Sequence, residues 1–213
     1  MRLSVVRHGQ TAWNAELRAQ GHADIPLDAI GIDQAHCLAE SMRGLPTVEV
    51  VASDLARAAE TARIVAEALG SPLRLDPALR ERSFGDWEGL TFEDLFQRSS
   101  QDQVRLGLDA FHVRPPGGES FADVWDRLGA IVEQLFSAEG DRLVVGHGGA
   151  NALMLARLLK GSLETSRAFR FGNASLSELQ RRPDGLFQLV RYNDTSHLTL
   201  AGALSGGIDG ASR

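Results

Sequence analysis

The sequence predicts an α/β protein, a three-layer α/β/α sandwich on a mainly parallel sheet. Three observations carry that prediction. Short apolar runs alternate with amphipathic stretches through most of the 213 residues, the pattern of strands joined by crossover helices. Runs such as Leu3-Ser4-Val5-Val6 and Leu143-Val144-Val145 are nearly continuous in apolar character, as expected of strands covered on both faces. The hydrophobic content of 43% and charged content of 23% are ordinary for a globular chain with a buried core.

Taken in order, residues 2–7 form a first strand, and Gly9 to Leu27 gives a short helical turn and a loop. Ala35, Leu38, Ala39 and Met42 mark a helix over residues 28–43, stopped by Gly44 and Pro46. Val48 to Ala52 is the second strand. The Ser53-Asp54-Leu55-Ala56-Arg57 turn then opens a helix with its buried stripe at Leu55, Ala58, Ala59, Ala62, Val65 and Leu69. Gly70 and Pro72 end it, and Leu73 to Leu75 is a third strand.

Residues 91–112 are less periodic; Phe92, Leu95, Phe96, Val104, Leu106, Leu108 and Phe111 predict short helices in a lid-like segment, residues 91–116. Ser120, with Asp123 three residues on, predicts an N-cap, and the stripe Phe121, Val124, Trp125, Leu128, Ile131, Val132 and Leu135 predicts one helix. A strand ending at His147, a helix to about Leu159, and a hairpin of residues 176–181 and 187–191 around Pro183-Asp184-Gly185 follow. Residues 1–200 read as one domain without repeat or linker. Residues 201–213, with four glycines, read as a flexible tail.

Net charge of −6 argues against nucleic acid or an anionic membrane as partner. No apolar run approaches the ~20 residues of a membrane span. The lone Cys37 allows no internal disulfide and has the helical neighbours of a packed core thiol. With no signal-peptide layout, these features predict a cytoplasmic protein, and a homodimer is compatible with them. His8, His22, His36, His112, His147 and His197 show no paired metal-ligand spacing, so neither metal nor other cofactor is expected. No G-x-S-x-G elbow is present either.

Two strands end in His-Gly: Val5-Val6-Arg7-His8-Gly9 and Val144-Val145-Gly146-His147-Gly148. Ligands of open α/β sheets bind beyond the carboxyl ends of the strands. Arg7-His8, the Ser53–Arg57 turn, Glu81 and His147 each follow a strand, so all reach one edge. Arg7 and Arg57 would supply paired donors for a phosphate, and helices opening near Leu55 and Gly149 would add amide donors. Beside two arginines one histidine stays neutral and nucleophilic, while the other, against a bound dianion, is pushed toward a cation.

The blocks Arg7-His8-Gly9-Gln10-Thr11 with Asn14, Gln20-Gly21 with Asp24-Ile25-Pro26-Leu27, and Ser53-Asp54-Leu55-Ala56-Arg57 with Thr61 together resemble the histidine phosphatase superfamily, in its phosphoglycerate-mutase-like branch. Glu81, Gly85-Asp86-Trp87-Glu88-Gly89, Gly117-Gly118-Glu119-Ser120 and Gly146-His147-Gly148-Gly149 continue the resemblance over most of the chain. It implies a phosphoglycerate-mutase-like fold and a small phosphorylated metabolite as substrate. It further implies that His8 becomes a phosphohistidine, that Arg7, Asn14, Arg57 and His147 hold the phosphate, and that Glu81 protonates the leaving alcohol; Glu88 is the alternative proton donor. Gln20, Gly21 and Gly148 are expected to touch substrate. A carboxylic acid beside a phosphate dianion holds its proton to higher pH.

Mutases of the branch carry Glu-Arg-His-Tyr-Gly around the acid and a double arginine before the proline-rich loop. Here the corresponding runs are Glu81-Arg82-Ser83-Phe84-Gly85 and Val113-Arg114-Pro115-Pro116. Both departures favour a phosphomonoesterase, and the ending Asn193-Asp194-Thr195-Ser196-His197-Leu198 resembles that of α-ribazole phosphatases and their broad-specificity relatives. Phosphoglycerate mutation and a non-catalytic phosphate binder are the alternatives.

Overall fold

The computed structural model describes residues 1–44 and 48–200. In chain order the elements are β1 (Arg2–Arg7), α1 (Ala12–Ala15), α2 (Ala29–Ser41), β2 (Glu49–Ala52), α3 (Ala56–Leu69), β3 (Leu73–Leu75) and α4 (Phe92–Leu106). Then come α5 (Phe121–Arg127), α6 (Gly129–Ser137), β4 (Arg142–Gly146), α7 (Gly148–Leu158), β5 (Leu176–Arg181), β6 (Phe187–Asp194) and α8 (Ser196–Leu200). Pro46 and the expected tail, residues 201–213, lie outside the described residues.

The strands form one sheet in the order β3-β2-β4-β1-β5-β6. The first four are parallel, and β5 and β6 add an antiparallel edge. Alternation along the strands builds the layers. Leu3, Val5, Val51 and Val144 pack with residues of α5, α6 and α7 on one face. Val6, Val50, Ala52, Leu143 and Val145 pack with α2 and α3 on the other. This is the expected three-layer α/β fold.

The register places the site. Arg7 pairs with Gly146 and Ala52 with Val145, so β1, β2 and β4 end side by side. Two amides extend the pairing one residue further: His8 N–H donates to Gly146 O at 3.0 Å and Ser53 N–H to Val145 O at 3.0 Å.

Three local expectations are corrected. The lid-like segment contains one 15-residue helix, α4, capped by Thr91 and ended by Gly107, rather than short helices. Only Leu95 of this helix is buried, so its apolar residues never formed the periodic stripe that marks a packed helix. The stripe from Phe121 to Leu135 spans two helices, α5 and α6, meeting at Leu128. Arg157 Nη1 donates to Trp125 O at 2.5 Å there, replacing a helical amide, and the apolar period runs across the break unchanged. Cys37 is only half-buried, since it lies at the margin of the α2 stripe carried by Gln34, Ala35, Leu38 and Ala39.

Candidate active site

His8 leaves β1 almost fully buried, at 2% exposure. Its Nδ1 lies 2.6 Å from Gly9 O. A carbonyl only accepts, so Nδ1 carries the proton and Nε2 the lone pair. Nε2 has no hydrogen-bond partner among the described residues and is not one of the sealed polar atoms. Burial, then the charges of Arg57 and Arg7, hold the imidazole well below its ordinary pKa.

His147, the N-cap residue of α7, faces it with ring centroids 5.1 Å apart. Its Nε2 is 2.9 Å from Ser53 Oγ, and Nδ1 is sealed from solvent without a partner. Burial and then Arg57 push this histidine well below its ordinary value as well. The cation expected for the second histidine was tied to a bound dianion; burial and the guanidiniums by themselves favour the neutral ring.

Arg57, 1% exposed, comes from the first turn of α3. Its Nη1 donates to Ala23 O at 3.0 Å and its Nη2 to Gly21 O at 2.8 Å, while Nε has no partner. No carboxylate lies within ion-pair distance of it among the described residues, and burial lowers its pKa to about 10. It stays charged at neutral pH, helped by Glu81 and Asp24 at longer range, and a buried cation hydrogen-bonded only to carbonyls suits an anion. Arg7, 2% exposed, donates Nη1 to Phe171 O at 2.7 Å.

Asn14 closes a capping box with Thr11. Its Oδ1 receives Thr11 N–H at 3.2 Å and Asn173 Nδ2 at 3.2 Å, and its Nδ2 is committed to no described residue. Gln20 Oε1 lies 3.0 Å from Thr11 Oγ1. Gly21 enters through its carbonyl, on Arg57, at a φ of +55°. Gly148 is the first residue of α7.

Glu81 sits across the start of α7. Its carboxylate accepts Gly149 N–H at 2.9 Å, Ala150 N–H at 3.0 Å and Arg82 N–H at 2.9 Å. The amides expected to hold a phosphate are thus taken by Glu81 at this helix, and at α3 the Ala56 amide donates to Asp24 Oδ1 at 2.7 Å. An acceptor within the chain competed for the positive helix ends. Glu88 has a different place. Its Oε1 accepts His22 N–H at 2.8 Å and Phe84 N–H at 3.2 Å, tying two loops together. Geometry therefore sets Glu81, not Glu88, beside the histidines' helix end.

Residues 3–195 match the histidine phosphatase superfamily (branch 1). The chain belongs to that superfamily. A Yersinia pestis protein named "Probable phosphoglycerate mutase GpmB" is 35% identical over 206 residues, spanning 94% of this chain and 96% of its own. The α-ribazole phosphatase of Shigella flexneri superposes with a TM-score of 0.81 at 31% identity, covering 92% of this chain and 97% of that one. A mycobacterial glucosyl-3-phosphoglycerate phosphatase superposes at 0.77 with 34% identity, over 90% and 98%.

In this histidine phosphatase chain, sequence reasoning missed the residues that hold the histidines. Asn173 Nδ2 lies 3.2 Å from both His8 O and Gly9 O, and Ala174 N–H donates to His8 O at 3.1 Å. Asn151 on α7 donates to Val6 O at 3.0 Å. Asn173 precedes β5 in a small polar run without a motif; an asparagine in the apolar first two turns of α7 was the one available signal for Asn151. Among the described residues no group of three His, Cys, Asp or Glu could hold a metal ion, and no helix is long and apolar enough to cross a membrane.

Proposed function

We propose that the protein is a phosphomonoesterase for a small organic phosphate. The observation that carries this is the fixed tautomer of His8: a neutral imidazole with Nδ1–H on Gly9 O and the Nε2 lone pair uncommitted, beside Arg7 and Arg57. Nε2 attacks phosphorus as the ester P–O bond breaks, and Glu81 passes its proton to the leaving alkoxide. Water then attacks the phosphohistidine, the P–N bond breaks, and Glu81 takes the water's proton. Arg7, Arg57, His147 and Asn14 hold the non-bridging oxygens, where developing charge is stabilised by preorganised donors. Gln20, Gly21 and Gly148 line the same pocket. The reaction runs without metal or cofactor, in the cytoplasm, on a phosphorylated metabolite.

Two solved relatives are named as phosphatases, which supports hydrolysis, whereas the name of the Yersinia relative favours phosphoglycerate mutation. The single arginine before the proline-rich loop speaks for hydrolysis. Arg114 is committed to Asp123, Nε at 2.9 Å and Nη2 at 2.6 Å, rather than left for a substrate carboxylate.

Acid-quenching the protein during turnover of a phosphorus-32-labelled phosphomonoester should trap label on His8, and His8→Ala should abolish both label and turnover. Turnover surviving in His8→Ala would overturn the nucleophile. In parallel, phosphorus NMR with 3-phosphoglycerate should show free phosphate; accumulation of 2-phosphoglycerate instead would establish the mutase.

A further inference from the structure

Glu81 stands in a stretch, residues 80–84, that belongs to no helix or strand. A proton donor must be held within a fraction of an ångström, yet this segment has no ladder of its own to hold it. The carbonyls of Arg80 and Glu81 and the amide of Ser83 go instead to one ion pair, 36 to 47 residues further along the chain.

Arg127, at the end of α5, is that support. Its Nη1 donates to Ala78 O at 2.7 Å and to Arg80 O at 3.0 Å, and its Nη2 to Glu81 O at 3.2 Å. The other side of the guanidinium meets Glu119, Nε to Oε1 at 3.0 Å and Nη2 to Oε2 at 3.1 Å. Glu119 Oε2 also accepts Ser83 N–H at 3.0 Å, and Glu119 N–H donates to Ser83 O at 2.9 Å. The ion pair therefore grips the segment on both sides of Glu81. His22 adds a second donor to the Glu81 carbonyl, Nε2 at 2.9 Å.

The arrangement fixes Glu81 at both ends, its carboxylate on the first amides of α7 and its main chain on the Arg127 fork. We propose that Arg127, oriented by Glu119, is the positioning residue for the proton donor of the reaction, acting on the leaving-group step through Glu81 and touching neither phosphate nor alcohol. The proposal rests on the assignment of Glu81 given above. Lysine cannot replace the arginine here, because the function uses a planar fork serving three carbonyls and a carboxylate at once.

The test is a double-mutant cycle on two substrates, an alkyl phosphate with a poor leaving group and p-nitrophenyl phosphate, which needs little protonation. Arg127→Met and the milder Glu119→Gln should lower kcat on the alkyl ester by about 10- to 100-fold, the range that ångström-scale misplacement gives. On the aryl ester kcat, and with it inhibition by inorganic phosphate, should stay within about threefold. In a Glu81→Gln background neither substitution should lower kcat further, as expected of groups acting through one residue. Equal losses on both substrates, or losses that multiply with Glu81→Gln, overturn the proposal. If Glu81→Gln alone shows no leaving-group dependence, the acid assignment fails first and the proposal falls with it. Should Arg127→Met not fold, as thermal melting would show, Glu119→Gln, which keeps an acceptor for Ser83 N–H, decides by the same criteria.

Discussion

Two histidines and two arginines share a buried volume at the ends of β1, β2 and β4, and the histidines yield. Burial and the neighbouring guanidiniums both disfavour the imidazolium, so His8 and His147 have folded-state pKa values below the ordinary 6.5. The sign of the pH effect follows. Between the folded value and about 6.5 the unfolded chain binds more protons, so stability rises with pH across that window. The penalty is complete below the folded value and gone above about 6.5. Calorimetry should therefore show Tm falling as pH drops from about 7 to 5, with a shallower fall in the His8→Asn, His147→Asn double variant. An unchanged slope in that variant would show that the two histidines do not govern the acid limb. The same protonation removes the Nε2 lone pair, so turnover should fall on the acid side too.

At the scale of elements, the site depends on how tightly α2 lies against the end of β1. A Cβ placed on Gly31, in the first turn of α2, would meet Gln10 O at 2.0 Å, and one on Gly9 would meet Gly31 O at 2.4 Å. Two backbones cross here with no room for a side chain between them. Gly31→Ala, otherwise favourable in a helix, should destabilise by about 1–3 kcal/mol or more, as overpacking does, and should lower turnover by displacing His8. Urea melts within a few tenths of a kcal/mol of wild type would remove the steric argument. Nothing in the sequence marks Gly31 as a contact. Helix α4 shows the converse: its apolar residues are plain in the sequence, but which of them are buried depends on where Trp87, Ala19 and Val113 stand, the cluster that takes Leu95.

For the whole molecule, the proposed anion pocket draws on residues from Arg7 to His147, so an anion bound there would stabilise the entire fold. Ligand at 100 times its Kd adds about 2.7 kcal/mol, roughly 5–10 °C in Tm for a chain of this length. Orthovanadate should raise the wild-type Tm by that order, and Arg57→Met should abolish the shift. A full shift in Arg57→Met would place the anion elsewhere. The competition for helix ends belongs to this scale as well. Gly149 and Ala150 are free donors in any view of α7 alone, and only the path of the chain from β3 brings Glu81 onto them.

The sequence by itself determined the order of strands and helices, the delivery of Arg7, His8, Arg57, Glu81 and His147 to one edge, and the family they resemble. Each is local, because period, caps and motif blocks are written in neighbouring residues. Tertiary structure decided what depends on contacts across the chain. It gave His8 its tautomer through Gly9 and its low pKa through burial. It seated Glu81 on α7, set Glu88 to loop-holding, and hung residues 78–83 from Arg127 and Glu119. No local pattern encodes these, since each joins groups brought together only when the sheet closes and the loops beyond it must find partners for their buried polar atoms.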